Sequence, residues 1–573
     1  MFNKRTGEIV VDRLKEWGVD HVYGLPGDSI NELIEDLRKA KDDINFIQVR
    51  HEEVGALAAA SYGKLTGRLG VCLSIAGPGA VHLMNGLYDA KADGAPVLVL
   101  VGQVDSNLIG TDAFQEINLE RMFDDVAVYK KRVVSEEQLP DLMNQAIRTA
   151  YAKKGVSVLI LPDDIIAREM KVEVPLTSSV KPKINLSPAA SDLEKAVEMI
   201  DAADRPVILA GKGALKAREE LLELTEVTGA PVIVSLPGKG AIPDTHPSCL
   251  GHLGQIGTKP SYHAMQETDL LIMVGTSFPY REFLPKEARA VQIDLDPTQI
   301  GKRYPIDLGL VGDAKQTLHW INGRISRKRD RSFLEKYQEK MQEWNHELTI
   351  QEERQEAPLQ GPQVIHQLQK TIEKDAILSV DVGNVTVWMA RHFKMDHHKM
   401  VISSSMATMG CGLPGAIAAK IAEPERQVVA VCGDGGFSMV MQDFITAVKY
   451  KLPIIVVILN NEKIGMIKYE QEAMGHLEYV TELGGMNFAA FAESCGGEGY
   501  RAHNYEELVS AFQKASFTSK PVIIDVEIEE IPPLPGKIGY SQAANYTKFM
   551  IKKYFADGKI ELPSVKKSMK RLF

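Results

Sequence analysis

Two short polar motifs in this sequence could hold a phosphate group through a metal ion. Gly433-Asp434-Gly435-Gly436 and Asn460-Asn461 each follow an apolar run that predicts a buried parallel strand, and residues 437–444 between them predict a helix. Glycine lets the backbone approach phosphate oxygens closely. The Asp434 carboxylate and the Asn461 side chain offer oxygen ligands of the kind that Mg²⁺ takes alongside substrate phosphates.

The order and spacing of the two motifs carry more information than either motif alone. Asp434 precedes Asn461 by 27 positions, which suits one helix-and-strand return in a βαβ unit. A Gly-Asp-Gly turn on its own is common and indicates no cofactor. In this order the pair resembles the thiamine diphosphate motif. Both strands would present their carboxyl ends at the edge where open α/β sheets bind ligands.

Glu52 could serve the opposite end of such a cofactor. It follows a strand predicted at 46–50 and precedes an Ala-rich helix predicted at 54–66. On position alone, Glu52 is equally well a carboxylate at a helix N-terminus that the helix dipole favours. The thiamine motif shifts this balance, because thiamine needs a carboxylate against its aminopyrimidine ring, supplied by a different domain from the diphosphate site.

The elements that must position these residues predict an α/β protein with doubly wound parallel sheets. Strands and helices alternate along most of the chain, so helices should cover both faces of each sheet. A polar, Pro-containing stretch at 177–187 predicts a linker, and the charged stretch at 327–355 predicts a solvated helical connector. We expect three domains and a basic C-terminal tail, at residues 1–175, 185–325, 356–535 and 536–573.

The middle domain presents strand-end loops that could line an extended nucleotide site. Gly211-Lys212-Gly213 begins like a dinucleotide fingerprint, but Lys216 stands where the third glycine belongs, so that assignment fails. Better support comes from three loops that follow predicted strands, at residues 251–254, 275–279 and 294–297.

Composition narrows the classes of protein. The chain has 573 residues and a net charge of -10, which argues against general nucleic-acid binding. It contains no apolar stretch of about 20 residues, and its N-terminus enters an amphipathic helix, so we expect a cytoplasmic protein without a spanning helix. The five cysteines are scattered, which favours free thiols over disulfides or zinc ligands.

Taken together, the motifs resemble a known family over residues 6 to 535. The stretches that carry the resemblance are residues 23–29, 50–54, 77–79, 114–116, 275–280, 292–294, 407–410, 433–436 and 467–471. The family is that of the thiamine diphosphate-dependent pyruvate oxidases. The chain looks closest to the bacterial branch that oxidises pyruvate to acetate and passes electrons to a membrane quinone.

The resemblance implies a pyrimidine-binding domain, an FAD-binding domain and a diphosphate-binding domain, in that order. It implies thiamine diphosphate, Mg²⁺ and FAD as cofactors. It also implies a homo-oligomer, usually a tetramer, because the family's active site lies between the first domain of one subunit and the third domain of another.

The site residues that the resemblance implies fall into four groups. The thiamine diphosphate group is Glu52, Ala407, Thr408, Met409, Gly433, Asp434, Gly435, Gly436, Asn461, Lys463, Ile464, Gly465 and Met466. The Mg²⁺ group is Asp434, Asn461 and the Lys463 carbonyl. The FAD group is Gly211, Gly213, His252, Leu253, Gly254, Gly275, Thr276, Ser277, Phe278, Pro279, Asp294 and Asp313. The catalytic and substrate group is Glu52, Phe114, Gln115, Met466 and Glu470.

Two of these residues have alternative interpretations. Met409 would lie beneath the thiazolium ring and force the bent shape of thiamine, although a methionine there could equally be core filling. Lys463 departs from the Gln or small residue sometimes found at its position, which matters little if only its backbone is used.

The tail at 536–573 carries nine Lys or Arg residues against two Asp or Glu residues. Its last segment places apolar residues at helical spacing opposite basic ones, at Val565, Met569, Leu572 and Phe573. This pattern is typical of a helix on a membrane surface, and a helix packed on its own domain is the alternative. A quinone acceptor, menaquinone or ubiquinone, favours the inner face of the cell membrane.

Other functions remain open at this point. An oxygen-dependent pyruvate oxidase would make acetyl phosphate and hydrogen peroxide. An acetolactate synthase would use FAD structurally and join a second pyruvate. A non-enzymatic alternative is a cofactor-binding membrane or assembly protein.

Overall fold

The computed structural model describes residues 3–171, 179–181, 185–529 and 531–533. Residues 177–178 and 182–184 of the predicted linker and the whole tail at 536–573 lie outside the described residues, and so do the predictions made for them. The described chain forms three α/β domains, each built on a six-stranded parallel sheet, as the alternation of strands and helices predicted.

The described residues of the first domain form eight strands and eight α-helices. Its strands are β1 Asn3–Arg5, β2 His21–Gly24, β3 Asn45–Gln48, β4 Gly70–Ser74, β5 Val97–Gln103, β6 Ala127–Arg132, β7 Val156–Pro162 and β8 Glu169–Lys171. Its helices are α1 Thr6–Glu16, α2 Asn31–Lys39, α3 Glu52–Thr66, α4 Pro78–His82, α5 Met84–Asp93, α6 Leu119–Met122, α7 Leu139–Lys153 and α8 Asp163–Ala167. The main sheet has the order β3-β2-β4-β5-β7-β6, while β1 and β8 form a separate antiparallel pair that the sequence did not predict.

The second domain places its strands in the order β11-β10-β9-β12-β13-β14. These strands are β9 Pro206–Ala210, β10 Val232–Val234, β11 Cys249–His252, β12 Leu270–Val274, β13 Arg289–Asp294 and β14 Leu308–Val311. The helices are α9 Ala190–Ala202, α10 Arg218–Thr228, α11 Lys259–Glu267 and α12 Ala314–Asn322. Numbered within the domain, the order is 3-2-1-4-5-6, which is the arrangement of dinucleotide-binding sheets.

The third domain follows a long connecting helix and has the order β16-β15-β17-β18-β20-β19. Its strands are β15 Ile377–Val380, β16 Lys399–Ile402, β17 Val428–Gly433, β18 Ile454–Asn460, β19 Glu498–Ala502 and β20 Val522–Glu527. The helices are α13 Ser332–Glu352, which is the connector, α14 Gly361–Thr371, α15 Asn384–His392, α16 Gly412–Ala422, α17 Asp434–Val440, α18 Phe444–Lys449, α19 Gly465–Ala473, α20 Phe488–Ser494 and α21 Tyr505–Ala515. The third sheet repeats the order of the first, although the two segments share no residue-level repeat.

Two predictions about helices need correction. The helix predicted at 437–444 begins earlier, at Asp434, and is interrupted by a 3₁₀ turn at Met441–Asp443 before α18 starts. The connector α13 is helical as predicted but is not simply solvated. One of its faces is buried because apolar residues recur along it at helical spacing, and it packs on the second domain through Tyr337, Met341, Trp344 and Leu348.

The first and third domains share one apolar core, which fixes their relative position. Small residues make this possible: the Ala-rich α3 packs against the Gly- and Ala-rich α16, and both helices contribute to the same buried cluster. Each sheet has a point where the chain changes direction, between β2 and β4, between β9 and β12, and between β15 and β17. Open α/β sheets bind ligands at such points. The turns after β17, β9 and β12, which carry Asp434, Gly211 and Gly275, lie there.

Candidate functional site

Strands β17 and β18 bring the Gly-Asp-Gly and Asn-Asn motifs to one edge of the third sheet. The two strands pair in parallel up to Gly433 and Leu459. Asp434, the first residue of α17, is only 5% exposed, and burial raises its pKa to about 6 even though backbone hydrogen bonds from Gly435 and Asn461 oppose the shift. A buried carboxylate in this state is stabilised by a bound cation. The fit to a metal-linked diphosphate is therefore good.

The two asparagines have different roles. Asn460 is buried, and its amide donates to Asp525 Oδ1 at 3.0 Å and to the Met486 carbonyl at 3.3 Å, so it holds the turn after β18. Asn461 is partly exposed, and its Oδ1 accepts from the Lys463 N–H at 3.2 Å. The Lys463 ammonium group donates a hydrogen bond to Glu478 Oε1 at 2.7 Å. The predicted Mg²⁺ ligand set of Asp434, Asn461 and the Lys463 carbonyl would therefore use the lysine only through its backbone.

The loop that carries Ala407, Thr408 and Met409 lies beside this motif. A Cβ atom on Gly435 would come within 3.4 Å of the Met409 methyl group. Asp381, at the end of β15, joins the two segments: it accepts from Gly410 N–H at 2.9 Å, and its carboxyl group would lie 2.9 Å from a Cβ on Gly436. Sequence analysis missed Asp381. The one available signal was a carboxylate directly after an apolar strand.

Glu52 is the first residue of α3 and is almost fully buried. Its Oε2 lies 2.9 Å from His82 Nδ1, and its Oε1 lies 3.0 Å from where a Cβ on Gly79 would stand. The His82 ring stacks on His51, with 4.3 Å between the ring centroids. The burial and the histidine contact are unlike those of a solvated helix-terminal carboxylate. His82 was missed because no local pattern marks it.

Phe114 and Gln115 lie on the loop after β5, at the mouth of the first sheet. The loop touches the Gly77 turn, where a Cβ atom would lie 2.7 Å from the Gln115 carbonyl oxygen. Phe114 is 82% exposed. Both residues line a pocket of about 200 Å³. Met466 and Glu470 are instead carried by the α19 region of the third domain and do not line this pocket.

The predicted flavin loops converge at the direction change of the second sheet. Gly211 and Gly213 follow β9, and Gly275 follows β12 with a φ of +56°. A Cβ atom on Gly275 would lie 2.5 Å from Gly213 Cα, so only glycine allows the two turns to pack backbone to backbone. Such a glycine-lined edge fits an extended nucleotide that approaches the main chain closely.

The remaining residues predicted to bind flavin lie around the same edge of the second sheet, but they differ in burial and in hydrogen bonding. Thr276 and Phe278 are buried, while Ser277 and Pro279 are exposed. His252 and Leu253 are buried, and burial lowers the pKa of His252 to about 3, so its ring is neutral. Gly254 has a φ of +97° and faces the Phe278 ring. Burial raises the pKa of Asp294, whereas Asp313 caps α12 by accepting from the Gln316 N–H at 3.1 Å.

Comparison with known proteins gives matches in all three domains. Residues 4–122, 193–321 and 381–526 match the N-terminal TPP binding, central, and C-terminal TPP binding domains of thiamine pyrophosphate enzymes. The chain is 58% identical to a putative thiamine pyrophosphate-containing protein of Bacillus subtilis, with 100% of each chain covered. It is 39% identical to a pyruvate oxidase of Lactiplantibacillus plantarum, over 93% of this chain and 90% of that protein. The chain belongs to the thiamine diphosphate-dependent pyruvate oxidase family.

Membership of the pyruvate oxidase family confirms the three-domain fold and thiamine diphosphate as the cofactor. It does not separate pyruvate oxidation from acetolactate synthesis. A probable acetolactate synthase large subunit of Methanococcus aeolicus is 32% identical to this chain, over 91% of this chain and 92% of that protein.

Proposed function

We propose that this pyruvate oxidase family member oxidises pyruvate to acetate and CO₂, with water supplying one oxygen atom of acetate. The two electrons and two protons released reduce a membrane quinone through FAD. The proposal is supported by the pyruvate oxidase relative, the glycine-lined edge of the second sheet and the pocket beside Phe114 and Gln115. The relative bears on the pyruvate chemistry, the glycine-lined edge on the flavin, and the pocket on the product.

The negative charge of that pocket is the observation that favours acetate over acetyl phosphate as the product. Besides Phe114 and Gln115 it is lined by Asp28, Ser29, Val104, Asp105, Leu108 and Asp163, with no basic side chain among them. Burial and neighbouring carboxylates raise the pKa of Asp163 to about 6, so it is mostly ionised near neutral pH. Inorganic phosphate carries more negative charge than pyruvate and is repelled more strongly here. Water is therefore favoured over phosphate as the acetyl acceptor.

The chain's own residues divide the work of the reaction. When bound, thiamine diphosphate supplies the carbon that adds to the keto group of pyruvate and accommodates the electron pair left when CO₂ departs. Asp434, Asn461 and the Lys463 carbonyl hold its diphosphate through Mg²⁺, and Met409 supports its shape. Glu52 accepts or donates a proton at the aminopyrimidine ring, and the hydrogen bond from His82 orients its carboxylate.

An assembly of several copies would complete the site. Glu52 and Phe114 belong to the first domain, whereas Met466 and Glu470 belong to the third. Near α19 the third domain exposes a group of apolar side chains that an interface would bury, at Met474, Leu477, Tyr479, Val480 and Leu483. We therefore propose a homo-oligomer, a tetramer by analogy with the family, in which these two sets of residues meet across subunits.

The quinone is proposed from the sequence of the tail at 536–573. Its basic, amphipathic composition suits attachment to the inner face of the cell membrane. In the part of the chain that the structure describes, no helix has the length and apolar character needed to span a bilayer. Attachment from the cytoplasm through the tail is consistent with both observations.

Product analysis tests this proposal. Purified protein with thiamine diphosphate, Mg²⁺, FAD and a water-soluble quinone should convert pyruvate to equal amounts of acetate and CO₂, at a rate that does not depend on added phosphate. Formation of acetyl phosphate would contradict the proposed product. Formation of acetoin after acid treatment would instead indicate acetolactate synthesis.

A further inference from the structure

Arg391 reaches from the third domain into a loop of the second. It lies in the last turn of α15 and is 3% exposed. Its Nε donates to the Ile256 carbonyl at 3.0 Å, and its Nη2 donates to the carbonyls of Gly257 at 2.9 Å and Gln255 at 3.3 Å. One guanidinium group thus donates hydrogen bonds to three consecutive carbonyl oxygens in the segment between β11 and α11.

That segment continues directly from His252, Leu253 and Gly254, three residues assigned to the flavin site. The chain turns sharply there. A Cβ atom on Gly257 would lie 2.7 Å from the His252 carbonyl oxygen, and Gly254 has a φ of +97°. The carbonyls that Arg391 holds are therefore part of the same compact turn as the flavin candidates.

Because Arg391 is buried, its charged guanidinium depends on these hydrogen bonds for stabilisation. Burial lowers the pKa of Arg391 to about 10, so the side chain still carries its charge near neutral pH. A buried charge is costly unless hydrogen-bond partners surround it, and the three carbonyls act as such partners only in this loop conformation. The connector contributes from the other side, since Arg391 Cζ lies 5.7 Å from the centre of the Trp344 ring.

The same strand-and-helix element also serves the thiamine diphosphate site. Asp381, directly after β15, accepts from the Gly410 N–H in the Met409 loop. Arg391, at the other end of α15, holds the loop at 255–257. The two ends of one rigid element thus contact the loops of both predicted cofactor sites.

We infer that Arg391 is a positioning residue for the flavin: it fixes the 252–257 loop from the thiamine diphosphate domain, so that the two cofactor sites are built on one element. The inference rests on the proposed FAD-dependent function. The planar, forked guanidinium is essential to it, because a lysine ammonium is a point charge and cannot contact three carbonyls in the same geometry.

Arg391→Lys in the full-length protein tests the inference, with Arg218→Lys as the matched control. Arg218 also joins the second and third domains, through Asp396 Oδ1 at 3.3 Å and the Asp396 carbonyl. It donates as well to the Gly240 carbonyl of its own domain at 2.9 Å, but no hydrogen bond joins it to the 252–257 loop. We expect Arg391→Lys to weaken FAD binding by about tenfold, the effect of losing a charge-assisted hydrogen bond, and to leave thiamine diphosphate binding within about twofold.

The second readout is amide hydrogen exchange of the 252–259 segment in protein stripped of FAD. Exchange there should be faster in Arg391→Lys than in the wild type or Arg218→Lys. If Arg391→Lys binds FAD with wild-type affinity and the 252–259 segment exchanges at the wild-type rate, the inference about Arg391 is wrong. The proposed flavin function would be unaffected by that result. Wild-type protein that binds no FAD would overturn the proposed flavin function, and the inference with it. An unchanged affinity for thiamine diphosphate would show that the Arg391→Lys protein is folded.

Discussion

Asp381 accepts hydrogen bonds from the backbone N–H groups of Val382 at 2.7 Å and Gly410 at 2.9 Å, and through Gly410 it fixes the loop that carries Met409. Its other oxygen accepts from Gly412 at 3.3 Å. Burial raises the pKa of Asp381 to about 6, and these N–H groups oppose that shift. One buried carboxylate therefore holds the Met409 loop against the Gly-Asp-Gly motif.

Asp381→Asn should weaken thiamine diphosphate binding by about tenfold. The amide keeps the size of the side chain but offers one acceptor oxygen to three N–H donors, so the Met409 loop loses part of its support. Equilibrium dialysis with thiamine diphosphate and saturating Mg²⁺ measures the change. Asp396→Asn, in an exposed turn, is the control. Equal affinity in both variants would show that Asp381 does not organise the site.

Glu52→Gln should reduce the rate of CO₂ release from pyruvate by about 10²- to 10⁴-fold, the usual contribution of a general acid or base. The amide retains a hydrogen-bonding oxygen but cannot exchange a proton with the aminopyrimidine ring. Binding of thiamine diphosphate should stay nearly unchanged because the diphosphate end lies in another domain. Turnover at the wild-type rate would refute the role of Glu52.

Binding of Mg²⁺ and thiamine diphosphate should weaken as the pH falls. Burial places the pKa of Asp434 at about 6, and a metal ion binds the ionised carboxylate, so protons compete with it below that pH. Between about pH 7 and about pH 5 we expect roughly tenfold weaker retention of the cofactor. Asp434→Ala should retain little cofactor at either pH. Wild-type affinity that does not change with pH would contradict the assigned role.

Asp28→Asn should make the reaction respond to phosphate. The substitution removes one negative charge from the pocket lined by Asp105 and Asp163 and so reduces repulsion of a phosphate anion. Acetyl phosphate, assayed with hydroxylamine at increasing phosphate concentration, should rise above the wild-type level. If the wild type already forms acetyl phosphate, then the pocket charge does not select the product.

Deletion of about 20 C-terminal residues should separate two activities. If the tail attaches to a membrane surface as proposed, removing its basic and apolar residues weakens the attachment. Reduction of quinone in vesicles should then fall, while reduction of a soluble dye is spared. Loss of both activities to the same extent would indicate instead that the tail packs on its own domain.

Sequence alone was sufficient for features that depend on local order. The motifs around Asp434 and Asn461, and the alternation of strands and helices, follow from residues close together along the chain, and they correctly predicted the fold and thiamine diphosphate. The helix boundary at Asp434 was missed because the turn itself is helical. The burial of α13 was missed because its charged residues outnumber the apolar ones that pack.

Residues whose partners are distant in sequence could not be found in this way. Asp381 contacts a residue 29 positions away, His82 contacts Glu52 across 30 positions, and Arg391 reaches carbonyls 135 positions away. Each is an ordinary polar residue in its local context. Only the folded chain shows that Asp381 and Arg391 hold loops that carry predicted site residues and that His82 contacts the Glu52 side chain.

The most direct test of the proposed function is anaerobic addition of pyruvate to the FAD-loaded protein with thiamine diphosphate and Mg²⁺. The flavin absorbance near 450 nm should bleach with release of one CO₂ per flavin, and a quinone should restore it faster than O₂ does. Flavin that stays oxidised while pyruvate is consumed would contradict the proposed flavin-dependent oxidation and indicate that electrons never leave the thiamine site.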